Sequence, residues 1–188
     1  MPEPLVLASR SPQRRAILEQ LGVEFRVSPA DVEEETRGEP RALVVENALR
    51  KARAVEGERV LGADTTVVLD GQVLGKPADG GEAETYLRRL SGRTHEVWSG
   101  IALLANGAER SSSARTRVRF RRLEEKDLLW YLESREWRER AGAYAIQGRG
   151  AALVEAIDGD FWNVVGLPVA ELLRLAPDLA RTARPTAT

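Results

Sequence analysis

The chain has 188 residues, enough for one domain with a full core. Its 28 lysines and arginines meet 29 aspartates and glutamates, a net charge of -1 that gives no basic field towards nucleic acid or an anionic membrane. With no cysteine and one histidine, His95, thiolate chemistry, disulfides and His-cluster metal sites are excluded, and any metal must sit on oxygen ligands, which favours Mg²⁺ or Mn²⁺.

Only three of the 28 basic residues are lysine: Lys51, Lys76 and Lys126. Against that arginine bias, a retained lysine suggests use of its compact ammonium, which binds phosphate as a point charge; chance usage is the plain alternative. The opening MPEPLVLAS has a short apolar run and no basic segment before it, and no stretch approaches bilayer length. A soluble cytoplasmic protein is expected, with no membrane partner.

Leu5-Val6-Leu7 reads as a buried strand. Ser11 then caps a helix that has Pro12 at its first position and stops at Gly22. A strand meeting a helix N-terminus across a Ser/Arg loop suits an anion, although the glycines and the Lys-Ser/Thr pair of a Walker A loop are missing. Capping for Ser11, with a solvated face for Arg10, Arg14 and Arg15, is the alternative. Val23 to Val27 reads as a second strand. The acidic run Asp31-Val32-Glu33-Glu34-Glu35 is a solvated loop or a source of metal-ligand carboxylates.

Pro40 to Glu56 reads as a helix with Leu43, Val44, Ala48 and Ala52 inward, on which Asn47 and Lys51 form an i, i+4 pair. An ordinary helix with polar sides accounts for them equally. The strand through Val60-Leu61 is expected to end in Gly62-Ala63-Asp64, placing a carboxylate at a strand's C-terminal end, where ligands bind in open α/β sheets. Val67-Leu69, Asp70-Gly71 and Val73-Leu74 read as a hairpin that carries Lys76, between Gly75 and Pro77, towards Asp64. On this stretch alone, an acid–lysine phosphate site and a plain surface hairpin both stand.

Gly80-Gly81 is expected to break the chain before a helix over Glu82–Leu90. After a loop at Ser91–His95 come a strand from Val97 to Leu104, an Asn106-Gly107 hairpin signal and a return strand from Ala114 to Phe120. The return strand sets Thr116, Val118 and Phe120 against Arg115, Arg117, Arg119 and Arg121. No aromatic residues interleave with the arginines, so a solvated outer face is expected, not a nucleic-acid surface. Glu124 to Glu133 reads as a helix, and the small residues around Tyr144 and Gln147 suggest a backbone approached closely by a ligand. Gln147 could read a base edge or be a satisfied core amide. Val154–Ile157 and Trp162–Val165 are expected as strands, and a last helix follows Pro168. Early alternation with later hairpins predicts an α/β fold with a mixed, partly antiparallel twisted sheet. Residues 1–180 are expected to form one domain and 181–188 a loose tail.

Seven collinear segments together resemble the Maf family of nucleoside triphosphate pyrophosphatases. They are Leu7–Pro12, Glu46–Ala48 with Lys51-Ala52, Gly62–Thr65, Gly75–Pro77, Leu90–His95, Ala141–Gly148 and Asn163–Pro168. The resemblance implies an elongated, two-lobed Maf/ITPase-like domain with a cleft active site. It implies hydrolysis of a nucleoside triphosphate to the monophosphate and pyrophosphate with a divalent cation. By similarity Asp64 is the base that activates water, Ser9, Arg14, Lys51 and Lys76 hold the triphosphate, and Glu34 joins Asp64 as metal ligand. Gln13, Thr65 and Gln147 occupy the places that distinguish subgroups by base. Thr65 and Gln147 resemble the dTTP/UTP group, whereas Gln13 departs from the Arg usual there. Two other readings are a regulator of cell division that binds nucleotide without turnover and a DNA binder using the arginine face. A homodimer is compatible with the sequence.

Overall fold

The computed structural model describes residues 4–179; the tail expected from Arg181 lies outside them. The buried strand β1 (Leu5–Leu7) leads into helix α1 (Pro12–Gln20), whose cap Ser11 accepts from the Arg14 N–H. Then come β2 (Phe25–Val27), α2 (Pro40–Arg53), β3 (Arg59–Leu69) and β4 (Gln72–Leu74). Asp70 and Gly71 join the last two with φ of 52° and 74°, the left-handed pair that a type I′ turn requires. α3 (Gly80–Leu90) precedes the long hairpin of β5 (Thr94–Ala105) and β6 (Ala108–Phe120). α4 (Glu125–Glu133), 3₁₀ turns at Ala141–Ala143 and Arg149–Leu153, β7 (Val154–Asp158), α5 (Phe161–Val165) and α6 (Val169–Leu175) complete the fold.

The strands form one seven-stranded mixed sheet in the order β2-β1-β3-β5-β6-β7, with β4 also paired to β3. β1 runs parallel to β2 and β3, and every other pairing is antiparallel. This is the mixed α/β sheet the sequence predicts.

Side chains of successive strand residues point to opposite faces. Leu61 and Ala63 of β3, with Ile101 and Leu103 of β5, therefore pack on one face with Ile17 and Leu18 of α1 and Leu172 of α6. Val60 and Ala102 pack on the other with Ala48 and Ala52 of α2. Gly62 and Gly100 lie on that second face and let α2 sit down on the sheet. A Cβ at Gly62 would stand 2.0 Å from the Ala48 carbonyl oxygen, and one at Gly100 would stand 2.3 Å from that of Val44. Further along the strands a separate core gathers Val67, Leu87 and Leu90 of α3, Val97, Phe120, and Leu128 and Tyr131 of α4. The two ends of the long strands thus carry separate cores, the two expected lobes.

Three local expectations are corrected. The strand through Val60 does not end at Asp64; it continues unbroken to Leu69 because β5 pairs with it from Arg59 to Val68. Gly80-Gly81 does not break the chain but forms the first turn of α3, where the Asp79 carboxylate caps the Glu82 N–H at 2.9 Å. Trp162–Val165 is helical, not a strand. Asp160 caps the Trp162 N–H at 2.8 Å, and Asn163 is fully buried with its amide on the Val97 carbonyl and Thr116 Oγ1, both at 3.0 Å. Those anchors outweigh the β-propensity of an aromatic and two valines.

Candidate active site

The site begins with a gap in the sheet. On one edge of β3, β1 pairs as far as Leu61 and β4 pairs only from Val67 onward. Residues 62–66 have no strand partner on that edge, and a cleft of about 1010 Å³ opens over it. Its lining draws on the loop after β1, the acidic loop before α2, the middle of β3, Lys76 and the 139–147 segment. A carboxylate inside β3 is thus brought to open space because β1 stops short, not because β3 ends.

Asp64 and Thr65 are neighbours on that strand and point to opposite faces. Asp64, 7% exposed, turns to α2, where Asn47 and Lys51 are one helical turn apart. Lys51 Nζ donates to Asp64 Oδ1 at 2.7 Å and to Glu34 Oε1 at 2.8 Å. Asn47 Nδ2 donates to Asp64 Oδ2 at 3.0 Å and to the Glu35 carbonyl at 2.9 Å, while its Oδ1 accepts from the Glu35 N–H at 2.8 Å. One helix thereby fixes both the buried acid and the acidic loop. Arg50 ties the same loop to α2 through Glu35 at 2.8 Å and is itself held by Glu46, one turn away on the helix, at 3.0 Å.

Thr65 turns the other way. Its Oγ1 lies 2.8 Å from Ser99 Oγ and accepts from Arg14 Nη2 at 3.2 Å. Arg14 is buried, and its guanidinium also donates to Ser9 Oγ at 3.0 Å and to the Gly166 carbonyl at 2.9 Å. Burial lowers its pKa below the usual arginine value, opposed by the charges of Asp64 and Glu34. Arg14 therefore knits the Ser9 loop, β3 and the Gly166 turn together at the cleft wall.

Lys76 and Gln147 stand on the opposite side. Lys76 is exposed at the lip, with Nζ 3.2 Å from the Glu139 carboxylate. Gln147 is exposed, not a core amide, and lines the cleft. Gln13, on the first turn of α1, accepts through Oε1 from Ser11 Oγ at 3.1 Å and from Arg140 Nη1. Ser9, Gln13, Arg14, Glu34, Lys51, Asp64, Thr65, Lys76 and Gln147 all line this one cleft. Asn47 and Arg140 join them, and sequence reading had given neither a role. The i, i+4 spacing of Asn47 to Lys51 was the available signal for the first; Arg140 carried none.

Asp64 and Glu34 are the two carboxylates of the cleft that could hold one divalent cation. Two carboxylates, Asp64 and Glu34, already converge on a single positive centre, the Lys51 ammonium. No group of three or more acidic or histidine side chains suited to a metal occurs among the described residues. Mg²⁺ commonly takes one or two carboxylates and completes its shell with water and phosphate oxygens. The arginines along β6 and just past its end meet neighbouring carboxylates, Arg115 with Glu96, Arg119 with Glu155 and Arg121 with Asp127. No helix among the described residues is long and apolar enough to cross a membrane.

Sheet order and cleft together define an α/β protein whose cleft is built round one buried acid. The chain belongs to the family described as Maf-like protein, which matches residues 4–179. It is 51% identical over 171 residues to the dTTP/UTP pyrophosphatase of Symbiobacterium thermophilum, covering 88% of each chain. It is 48% identical over 173 residues to that of Thermus thermophilus, covering 92% of each. The dTTP/UTP pyrophosphatase of Thermococcus gammatolerans is 47% identical over 175 residues, 91% of this chain and 94% of that one. A solved structure of the Staphylococcus aureus Ham1 protein is similar at a TM-score of 0.46 and 13% identity, over 63% of this chain and 72% of that one.

Proposed function

We propose that this chain is a nucleoside triphosphate pyrophosphatase acting on dTTP and UTP. The observation that carries the reading is Asp64: a buried carboxylate, aimed by Asn47 and Lys51, at the unpaired edge of β3 in a cleft where Ser9, Arg14, Lys51 and Lys76 gather from both sides. The names of three relatives close to 50% identical over about nine-tenths of the chain support it.

In the proposed reaction, Asp64 accepts a proton from water as that water's oxygen bonds to the α-phosphorus. The bond from the α-phosphorus to the bridging oxygen breaks, and pyrophosphate leaves with the bond electrons. The products are the monophosphate and pyrophosphate. Lys51 and Lys76 offset phosphate charge, and Ser9 and the Arg14 network shape the pocket wall. Phosphoryl chemistry rests mainly on such positioning and charge stabilisation. Asp64 and Glu34 would hold a divalent cation, Mg²⁺ or Mn²⁺, which when bound supplies charge neutralisation on the phosphate oxygens. Thr65, Gln147 and Gln13 contact or flank the base.

Product analysis with dTTP, UTP, CTP, ATP and GTP, with Mg²⁺ and with chelator, tests this. One pyrophosphate per monophosphate is expected, from dTTP and UTP first, and lost on chelation. Release of orthophosphate, a preference for purine nucleotides, or binding without turnover would contradict it; the last outcome is the one a non-hydrolytic regulator predicts.

A further inference from the structure

Gln13 and Arg140 face each other across the cleft, one on α1 and the other 127 positions away in sequence, just before the Ala141–Ala143 turn. Arginine has donors only, so the atom of the Gln13 amide that meets Arg140 Nη1 must be its oxygen. Ser11 Oγ binds the same oxygen at 3.1 Å. Two donors on Oε1 settle which way the amide faces. Its nitrogen, with two N–H groups, makes no hydrogen bond to the described residues, and Gln13 lines the cleft.

Arg140 is held for this contact. The Gly142 N–H beside it donates to the Gly75 carbonyl at 3.1 Å, which ties the turn to the end of the β3–β4 hairpin. Gly142 sits so close to Val67 that an added Cβ would lie 2.8 Å from Cγ2. Arg140 Nε is buried without a partner, and among the described residues Gln13 is the sole acceptor found by the Arg140 side chain. The guanidinium thus hydrogen-bonds to Gln13 and to no carboxylate, although the charges of Glu136 and Glu139 act on it.

We propose that Arg140 is a positioning residue for base recognition: by holding Gln13 Oε1 it presents the Gln13 NH₂ group to the cleft, where that group donates to the keto oxygen at C4 of the nucleobase. The proposal rests on the pyrophosphatase reading and adds the rule by which the base is chosen. Thymine offers a keto acceptor at C4, as does uracil, where cytosine offers an amino donor. An oriented donor accepts the first two and meets the third donor to donor. Sites that hydrogen-bond a substrate group reject strongly the analogue that cannot answer, because buried polar atoms are left unpaired.

The test is the ratio of kcat/KM for UTP over CTP in wild type, Gln13→Glu, Arg140→Ala and Arg140→Lys, with melting temperatures measured alongside. Gln13→Glu keeps an oxygen for Arg140 and Ser11 but replaces the NH₂ by an acceptor. The ratio is expected to fall at least about tenfold, with CTP improved relative to UTP. Arg140→Ala, which frees the amide to turn over, should lower the ratio severalfold, and Arg140→Lys, which keeps a donor, should restore most of it. A ratio within twofold of wild type in either Gln13→Glu or Arg140→Ala overturns the proposal, and an equal loss for both nucleotides is such a result. Calorimetric binding of UTP and CTP in EDTA reads the same preference without turnover. Wild type that binds UTP over CTP but hydrolyses neither would defeat the pyrophosphatase reading and leave the Gln13 comparison decisive.

Discussion

Asn47 Nδ2 donates to Asp64 Oδ2 at 3.0 Å, while the same side chain clamps the Glu35 peptide from both sides. A single buried amide therefore sets the position of Asp64 relative to the acidic loop that carries Glu34. Asn47→Ala should leave Asp64 Oδ2 and the Glu35 peptide without that partner, at a cost of about 2 kcal/mol in stability. Displacement of a reacting group by about 1 Å costs on the order of 10²-fold, so kcat for UTP should fall by about that factor. Steady-state kinetics and thermal melting check both. Wild-type kcat in a variant of lowered melting temperature would show that Asn47 acts on the fold alone.

The seat of α2 on the sheet makes a separate prediction. Gly100 lies beneath Val44, and a Cβ there would stand 2.3 Å from a backbone oxygen that has no rotamer with which to move away. Gly100→Ala should force the helix off the sheet and cost about 1–3 kcal/mol, a fall in Tm of roughly 2–12 °C for a domain of this size. Activity should fall with it, since α2 carries Asn47 and Lys51. Calorimetric melting at neutral pH is the check, and an unchanged Tm would mean that α2 can lift without loss.

His95 gives a pH signature. It is buried between Phe120 and Tyr144, with Nε2 2.8 Å from the Tyr144 hydroxyl, and burial lowers its pKa from 6.5 to about 4. The folded state thus resists a proton that the unfolded state takes up. Its contribution is full above pH 6.5 and is lost as pH falls towards 4, by roughly 3 kcal/mol over that window. His95→Gln does not titrate there and can still reach the Tyr144 hydroxyl. Denaturant unfolding between pH 7 and 4 should show the wild type losing more stability than His95→Gln, by about that amount. Parallel curves would contradict the assignment.

Much of this was readable in the chain because local chemistry and final environment agreed. Ser11-Pro12 and the Asp70-Gly71 and Asn106-Gly107 turns form as their residues require. The alternation of Thr116, Val118 and Phe120 against arginines marks buried and exposed faces correctly. Failures came where distant contacts decide. Trp162–Val165 has strand composition, yet buried Asn163 bonds to β5 and β6 and fixes it as helix. Asp64 comes to the cleft because β1 is three residues long, a property of a different segment. Arg140 meets Gln13 only through the fold of both lobes, so no local pattern could pair them.

Asp64→Asn tests the role of Asp64 most directly. Asparagine keeps the shape of the side chain and can still meet Lys51 with its oxygen, but its NH₂ loses the bond from Asn47 and it accepts no proton from water. Pyrophosphate release from dTTP and UTP is measured with Mg²⁺, alongside UTP binding and Tm. The expected result is a fall in kcat of about 10²–10⁴-fold with UTP still bound and the fold intact. Pyrophosphate release by Asp64→Asn within tenfold of wild type would contradict the assignment of Asp64 as the base.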